Sequence, residues 1–295
     1  MDGSSGEILM ISKEIRKGLR GLFKDSSGLM AVIGFLILIF YVVVAIFAPF
    51  ISPYNPTQPS GPSLLPPTVS HIMGTDNLGY DIFSRLVWGT RMAFAIALIA
   101  TAIAAVVGIP VGLLVGYIGG KTDRVVTMIM DSVYAFPGLI LAIAIAAMLG
   151  PGLLNIAFSI AVVYIPTYYR VIRSQVSTVK SELYVDGARA IGAKTSTIIG
   201  SYVFPNVLPS TIVIFSMNLA DSIMTEAGLS FLGLGIAPPT PDWGYDLAKG
   251  QQFILNNDWW MVLFPGLAII TIVLGFSMFA EGLDEYFNPN IGEKR

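Results

Sequence analysis

The chain contains several stretches of more than 20 residues that are apolar and carry no charge. Residues 29–51 form one such stretch, and residues 92–118 form another. A helix needs about 20 mostly apolar residues to cross the hydrocarbon core of a bilayer. These stretches therefore predict a protein that crosses a membrane several times.

The composition excludes the main alternatives to a membrane protein. Hydrophobic residues make up 54% of the 295 residues and charged residues only 12%, with a mean hydropathy of +0.73. A soluble domain has about 25% charged residues, so the charged side chains here are too few to cover a soluble globule. A disordered chain needs low hydrophobicity. The net charge of −2 gives no indication of a nucleic-acid partner.

Six membrane-spanning helices account for the apolar stretches. The region 125–169 contains a single charge, Asp131, and is long enough for two helices, which the turn-forming sequence LGPG at 149–152 divides. The apolar residues are continuous rather than alternating, which favours helices over a membrane β-barrel. The predicted fold class is therefore all-α. The predicted passes are 29–51, 92–118, the two halves of 125–169, 205–235 and 259–280.

The distribution of lysine and arginine predicts the orientation, because cytoplasmic segments carry the excess of positive charge. With the N-terminus inside, 14 of the 17 basic residues lie in inner segments. We therefore expect a multi-pass cell-membrane protein with both termini in the cytoplasm and no cleavable signal peptide.

The predicted organisation is an N-terminal segment 1–28, a first helix with an outer loop 29–91, a five-helix core 92–283 and a tail 284–295.

The N-terminal segment is amphipathic. Ile15, Leu19, Leu22 and Phe23 recur at helical spacing, and five basic residues occupy the rest of the helical wheel. This pattern predicts a helix that lies in the inner membrane interface. A plain basic tail is the alternative.

Few residues are available for catalysis or metal binding. The chain has no cysteine, which excludes thiol catalysis and cysteine-ligated metals. Its single histidine, His71, disfavours a Ser–His triad. We expect no catalytic residue, no metal site and no cofactor bound by this chain. His71 ends a proline-rich outer loop that should be extended, and we expect its side chain to be solvated.

The predicted inner loop between the fourth and fifth passes, 175–204, is far longer than a connection requires. Ser181, or Glu182 with it, can start a short helix there, and Gly192 permits a sharp reversal after it. The small residues between them leave one side of that helix shallow, which suits insertion into a groove on another protein. A solvated helical hairpin is the alternative. A second short helix is expected at 195–203, before Pro205 begins the next pass.

This loop resembles the EAA loop of permease subunits from binding-protein-dependent ABC importers. That loop has an acidic residue, a small residue and Ala, then Gly after three residues, and an aliphatic residue and Pro farther on. The matching residues here are Asp186, Gly187, Ala188, Gly192, Val203 and Pro205. Asp replaces the usual Glu, and Gly replaces the first Ala, which loosens a helix by about 1 kcal/mol.

Three further stretches resemble the dipeptide, oligopeptide and nickel branch of that family. They are GTDNLGYDIFSRL at 74–86, AGLSFLGLG at 227–235 and PPTPDWG at 238–244. Tyr80 stands where this branch usually has arginine. Together with the EAA-like loop, they extend the resemblance over nearly the whole chain and indicate the C-type subunit of the permease pair.

The resemblance implies the type I ABC importer permease fold and a transport subunit rather than an enzyme. The implied partners are a second permease subunit, two cytoplasmic ATPases that would bind the ATP, an extracytoplasmic binding protein and the lipid bilayer. This chain has no GxxxxGK[ST] phosphate-binding sequence of its own. The expected cargo is a short peptide, with nickel chelates and oligosaccharides as alternatives. The residues implied in coupling to the ATPases are Tyr184, Val185, Asp186, Gly187, Ala188, Arg189, Gly192, Ala193 and Pro205.

Polar residues in the predicted fifth pass are candidates for the substrate route. Asn218, Asp221, Ser222 and Thr225 follow the spacing of one helical face. A charge within the bilayer is costly and normally faces a cavity or a partner. We expect this stripe to face the second permease subunit and line the route, with Glu226 in an outer gate. Hydrogen bonding between helices is an equally weighted alternative.

A rival function is an ion-coupled secondary transporter that uses Asp221 and Glu226 as proton or sodium sites. Against it, the six predicted passes show no internal repeat, and the long inner loop would have no function.

Overall fold

The computed structural model describes residues 26–287, so the predicted amphipathic helix and the end of the predicted tail lie outside the described residues. Within 26–287 the chain is helical, with one isolated β-bridge between Thr75 and Asp81. The main helices are α1 Ser26–Ile51, α2 Ile82–Ile118, α3 Gly120–Tyr134, α4 Gly138–Leu149, α5 Leu153–Val179, α6 Leu183–Ala190, α7 Phe204–Phe231, α8 Trp243–Gln251 and α9 Trp260–Phe287.

Five helical segments of the described chain are long and apolar enough to cross a membrane: α1, α2, α5, α7 with the turns before it, and α9. The pair α3 and α4 adds a sixth if it is one span, although it is bent by 85°. Pro137 accounts for this break, because it lacks an N–H and its ψ of 122° is extended. The third predicted pass is therefore broken at Pro137, and the turn at 149–152 separates α4 from α5 as predicted.

Helix α2 begins at Ile82, ahead of the apolar run that predicted the second pass. Asp81 caps it, since its carboxylate accepts hydrogen bonds from the Ser84 backbone N–H at 2.8 Å and the Ser84 hydroxyl at 2.6 Å. Arg85 and Arg91, placed in the outer loop by the sequence, therefore lie on the first turns of this helix.

The second short helix predicted at 195–203 is not separate from α7. One turn, Thr195–Thr197, continues through a π-helical segment, Ile198–Val203, directly into α7. The N–H of Phe204 donates to the carbonyl of Ile199, five residues earlier. Pro205 lacks an N–H and cannot donate a backbone hydrogen bond. The π-helical segment, whose turns are wider than those of an α-helix, ends just before it.

Glycines bring α2 and α5 into close contact at the centre of the molecule. A Cβ on Gly108 would lie 2.5 Å from Cβ of Tyr168, and one on Gly112 would lie 2.9 Å from Cβ of Ile172. Any side chain there would collide with the facing helix. The resulting α2–α5 core supports α6 and α7, which carry the predicted site residues.

Residues 52–81 and α8 form a cap on one end of the bundle. His71 lies inside this cap, with Nδ1 2.9 Å from Oδ1 of Asp81 and its ring stacked on Tyr54. The prediction of a solvated His71 is therefore wrong. The loop folds back on the start of α2, which buries the imidazole beside the capping carboxylate.

Candidate functional site

Helix α6 is anchored to the bundle by one face. Val185 and Ala188 are buried, and they pack in a cluster with Ile172 and Val176 of α5 and Val203 of the π-helical segment. Two side chains three residues apart lie on the same face of a helix. The position of α6 is therefore fixed by contacts with α5 and with the turns that lead into α7.

A local signal defines the C-terminal end of α6. At the start of the helix Glu182, rather than Ser181, is the N-cap residue, and its side chain makes no capping hydrogen bond. At the other end Gly192 has a φ of +82°, the N–H of Gly192 donates to Arg189 O, and the N–H of Ala193 donates to Ala188 O. These two bonds form a Schellman motif, in which glycine supplies the left-handed residue. The predicted reversal at Gly192 is confirmed.

The opposite face of α6 is apolar and exposed. Leu183 and Ile191 are 87% and 82% exposed, and Tyr184 also faces outward. A Cβ on Gly187 would meet nothing within 4 Å, so the small size of this residue serves no contact inside the chain. This face therefore has the shape and polarity of a docking surface that the described chain leaves uncovered.

The remaining coupling residues lie around this face. Asp186 and Arg189 form an exposed ion pair at 2.9 Å, and the Arg189 guanidinium also lies over the Tyr117 ring. Ala193 is half-buried where α6 ends, and Pro205 is exposed in the first turn of α7. Of the nine predicted residues, only the two anchors, Val185 and Ala188, are turned fully inward.

The predicted polar stripe of α7 is divided between the inside and the outside of the chain. Asn218 and Ser222 are buried, and the Ser222 hydroxyl lies 3.2 Å from the Thr101 hydroxyl of α2. These two residues do not face a second subunit, because α2 covers that side of α7. The contact between Ser222 and Thr101 fits the alternative of hydrogen bonding between helices.

The other two stripe residues remain accessible. Asp221 is exposed within an apolar stripe of α7 that includes Met217 and Met224. Thr225 is half-buried, with its hydroxyl 3.0 Å from the Tyr164 hydroxyl of α5. An exposed carboxylate between apolar residues needs a polar partner or water once the chain is in a membrane.

Glu226 lies in an interior cluster rather than on a surface. It is 3% exposed, and the Ser230 hydroxyl lies 2.9 Å from Glu226 Oε1 and 2.7 Å from Asp242 Oδ2. The placement of Glu226 in a gate that lines the route is therefore not supported by its position. Ser230 and Asp242 were not singled out by the sequence, although both lie within the motif stretches 227–235 and 238–244.

Arg85 is a third residue that the sequence did not single out. Its guanidinium is buried, with Nε and Nη2 bonded to the Asp246 carboxylate at 2.6–3.0 Å and Nη1 bonded to the carbonyls of Pro56 and Pro239 at 3.0 Å. One side chain thereby connects the outer loop, α2, the PPTPDWG stretch and α8. Its position within the 74–86 motif is the sequence feature that could have identified it.

Two family matches cover most of the chain. Residues 108–293 match the family described as binding-protein-dependent transport system inner membrane component. Residues 29–67 match the N-terminal transmembrane domain of oligopeptide transport permease C.

Curated relatives match over nearly their full lengths. The dipeptide transport system permease protein DppC of Alkalihalophilus pseudofirmus is 39% identical, over 89% of this chain and 86% of the relative. The probable D,D-dipeptide transport system permease protein DdpC of Escherichia coli is 36% identical, over 88% and 87%. The glutathione transport system permease protein GsiD of Pectobacterium atrosepticum is 36% identical, over 89% and 87%.

The matches confirm the resemblance that the motifs suggested, and they disfavour an ion-coupled secondary transporter. The burial of Glu226 away from the exposed Asp221 also separates the two carboxylates on which that rival relied. The chain belongs to the family of binding-protein-dependent transport system inner membrane components, and it is a multi-pass permease subunit of an ABC importer rather than an enzyme.

Proposed function

We propose that this chain forms, with a second permease subunit, the route by which an ATP-driven importer moves short peptides across the cell membrane. The exposed apolar face of α6 is the observation that carries the coupling part of this proposal. The names of the relatives, which are dipeptide and glutathione permeases, support a short peptide as cargo.

The coupling step follows from how α6 is held. Val185 and Ala188 attach the helix to α5 and to the turns that continue into α7. A cytoplasmic ATPase that grips the exposed face would therefore move α5 and α7 with it. The proposed result is alternating access, in which ATP-driven closure of the two ATPases tilts these helices as rigid pieces.

The orientation and the partners complete the proposal. The basic residues favour both termini and α6 on the cytoplasmic side. The ATPases would bind the ATP, since this chain lacks their phosphate-binding sequence. A binding protein outside the membrane would deliver the peptide to the side of the cap.

Reconstituted transport tests the proposed cargo. The complete assembly, in proteoliposomes with ATP inside and its binding protein outside, is expected to accumulate a labelled dipeptide. The same vesicles loaded with ADP should accumulate none, because the nucleotide drives α6. A nickel chelate and an oligosaccharide serve as competing cargoes. Uptake of either one in place of dipeptide, or dipeptide uptake without ATP, would contradict the proposal.

Asp221 is proposed to line the route, because it is the exposed charge of α7. Asp221→Ala is expected to lower the rate of dipeptide uptake about tenfold, equivalent to about 1.4 kcal/mol, while the complex still co-purifies. Met224→Ala changes the same exposed stripe without a charge and should have a smaller effect. Unchanged uptake would show that Asp221 does not line the route. Loss of the partner subunit from the purified complex would show that Asp221 serves helix association instead.

A further inference from the structure

A cleft of about 810 Å³ opens between α3 and α5, at the end of the bundle where α2 meets α3. Its lining includes Asp123, Asp131 and Arg173. The cleft is largely open to solvent. Its volume is within the range of about 300–1,000 Å³ for pockets that hold small ligands, so it has room for a dipeptide or tripeptide. None of the residues that line it belongs to α6 or α7.

The charged face of α3 requires a polar environment. Helix α3 has no buried residue, and with α4 it forms the bent pair that makes the sixth candidate span. Lys121, Asp123 and Arg124 lie on its first turns, ahead of the third predicted pass, whereas Asp131 lies within that pass. Charges within a membrane span normally face a water-filled cavity or a protein partner rather than lipid. The cleft is therefore expected to face the aqueous route.

Two ion pairs join α3 to α5 here. Asp123 and Arg173 both line the cleft, whereas in the second pair Asp131 lines it and Arg170 lies beside it. The pairs differ in their number of hydrogen bonds. Both Nε and Nη2 of Arg173 bond to the Asp123 carboxylate, with Nη2 2.7 Å from Oδ2. Arg170 makes one such bond, from Nη2 to Asp131 Oδ1 at 2.8 Å. A guanidinium has five N–H donors in a fixed plane, so Arg170 keeps donors for a further carboxylate.

Accessibility separates the two pairs in the same way. The side chains of Arg170 and Asp131 are 49% and 54% exposed, whereas those of Arg173 and Asp123 are 35% and 20% exposed. The Tyr134 ring lies 4.0 Å from Cζ of Arg170 and holds the guanidinium by a cation–π contact. The Arg173–Asp123 pair therefore holds α3 against α5, whereas the more exposed Arg170–Asp131 pair is accessible to a ligand that could replace one partner.

We propose that Arg170 and Asp131 recognise the two charged termini of a short peptide as it passes through this cleft. The peptide carboxylate binds the Arg170 guanidinium, and its ammonium binds the Asp131 carboxylate, so that each terminus replaces one half of the existing ion pair. Arg173 and Asp123 are positioning residues that keep α3 against α5 during the exchange. This inference rests on the proposed peptide cargo.

The test compares cargo selectivity between variants, because the binding protein also selects peptides. Uptake of one dipeptide, its C-terminal amide and its N-acetyl form is measured in proteoliposomes with the complete complex and the same binding protein. Arg170→Gln should reduce the preference for the free carboxylate at least fivefold and leave the preference for the free ammonium unchanged. Asp131→Asn should do the reverse.

Two further variants keep the test decisive. Arg91→Gln removes the same charge from the cap end of α2 and should leave both preferences unchanged. Arg170→Lys retains the charge and should keep part of the carboxylate preference, which covers the case that Arg170→Gln does not assemble. If unaltered vesicles import no peptide, the proposed function fails together with this inference. If they import peptide and both preferences stay within twofold in every variant, the inference alone is overturned.

Discussion

Gly187→Trp is expected to reduce ATP-dependent uptake by more than tenfold while the permease still folds. Position 187 lies on the exposed face of α6, and a Cβ there meets no atom of the chain within 4 Å. An indole would therefore project into whatever covers this face without disturbing Val185 or Ala188. A helix of eight residues has little surface with which to compensate for a displaced partner.

Gly187→Ala is the matched control for this prediction. Alanine adds one methyl group and favours the helix by about 1 kcal/mol relative to glycine, so α6 should be retained or stabilised and uptake largely preserved. Uptake, co-purification of the ATPases and thermal unfolding are measured together. Normal uptake by the Trp variant would show that no partner packs against this face.

Arg85→Met is expected to destabilise the protein by about 3–5 kcal/mol, the range for removing one partner of a buried ion pair. The change leaves the Asp246 carboxylate without its cation and the carbonyls of Pro56 and Pro239 without a donor. The cap should separate from the bundle first, since these contacts connect its segments. Tryptophan fluorescence during thermal unfolding reports the loss, because Trp243 of the cap and Trp260 of α9 are buried where the cap meets the bundle.

Asp246 gives this variant a predicted pH dependence. Burial raises the pKa of Asp246 to about 6, although Arg85 acts to lower it. A carboxyl group whose pKa is raised on folding contributes stability below its unfolded pKa and loses it as the pH rises. Without Arg85 that pKa rises further, so Arg85→Met should be more destabilised at pH 8 than at pH 5.

Two controls accompany the Arg85 variant. Arg189→Met breaks an exposed pair, for which typical contributions are about 0–1 kcal/mol. The double variant Arg85→Met/Asp246→Leu should recover part of the lost stability, because it leaves no uncompensated carboxylate. Equal destabilisation by Arg85→Met and Arg189→Met would contradict the structural role assigned to Arg85.

The sequence by itself determined the helical fold and the C-terminal end of α6. Apolar runs of about 20 residues specify membrane-spanning helices because the backbone must satisfy its hydrogen bonds within lipid. The end at Gly192 is equally local, since only a residue that tolerates a positive φ completes the two bonds from Gly192 and Ala193.

Tertiary structure alone decided which side of each helix is covered. Helical spacing put Asn218, Asp221 and Ser222 on one face, but only the packing of α2 on α7 buried two of them and left the carboxylate exposed. His71 and Glu226 were buried by partners 10 and 16 residues away in sequence, Asp81 and Asp242, respectively. The helical repeat fixes the angle between side chains on one helix. Burial depends instead on how segments distant in sequence pack against each other, and a local sequence pattern does not determine that packing.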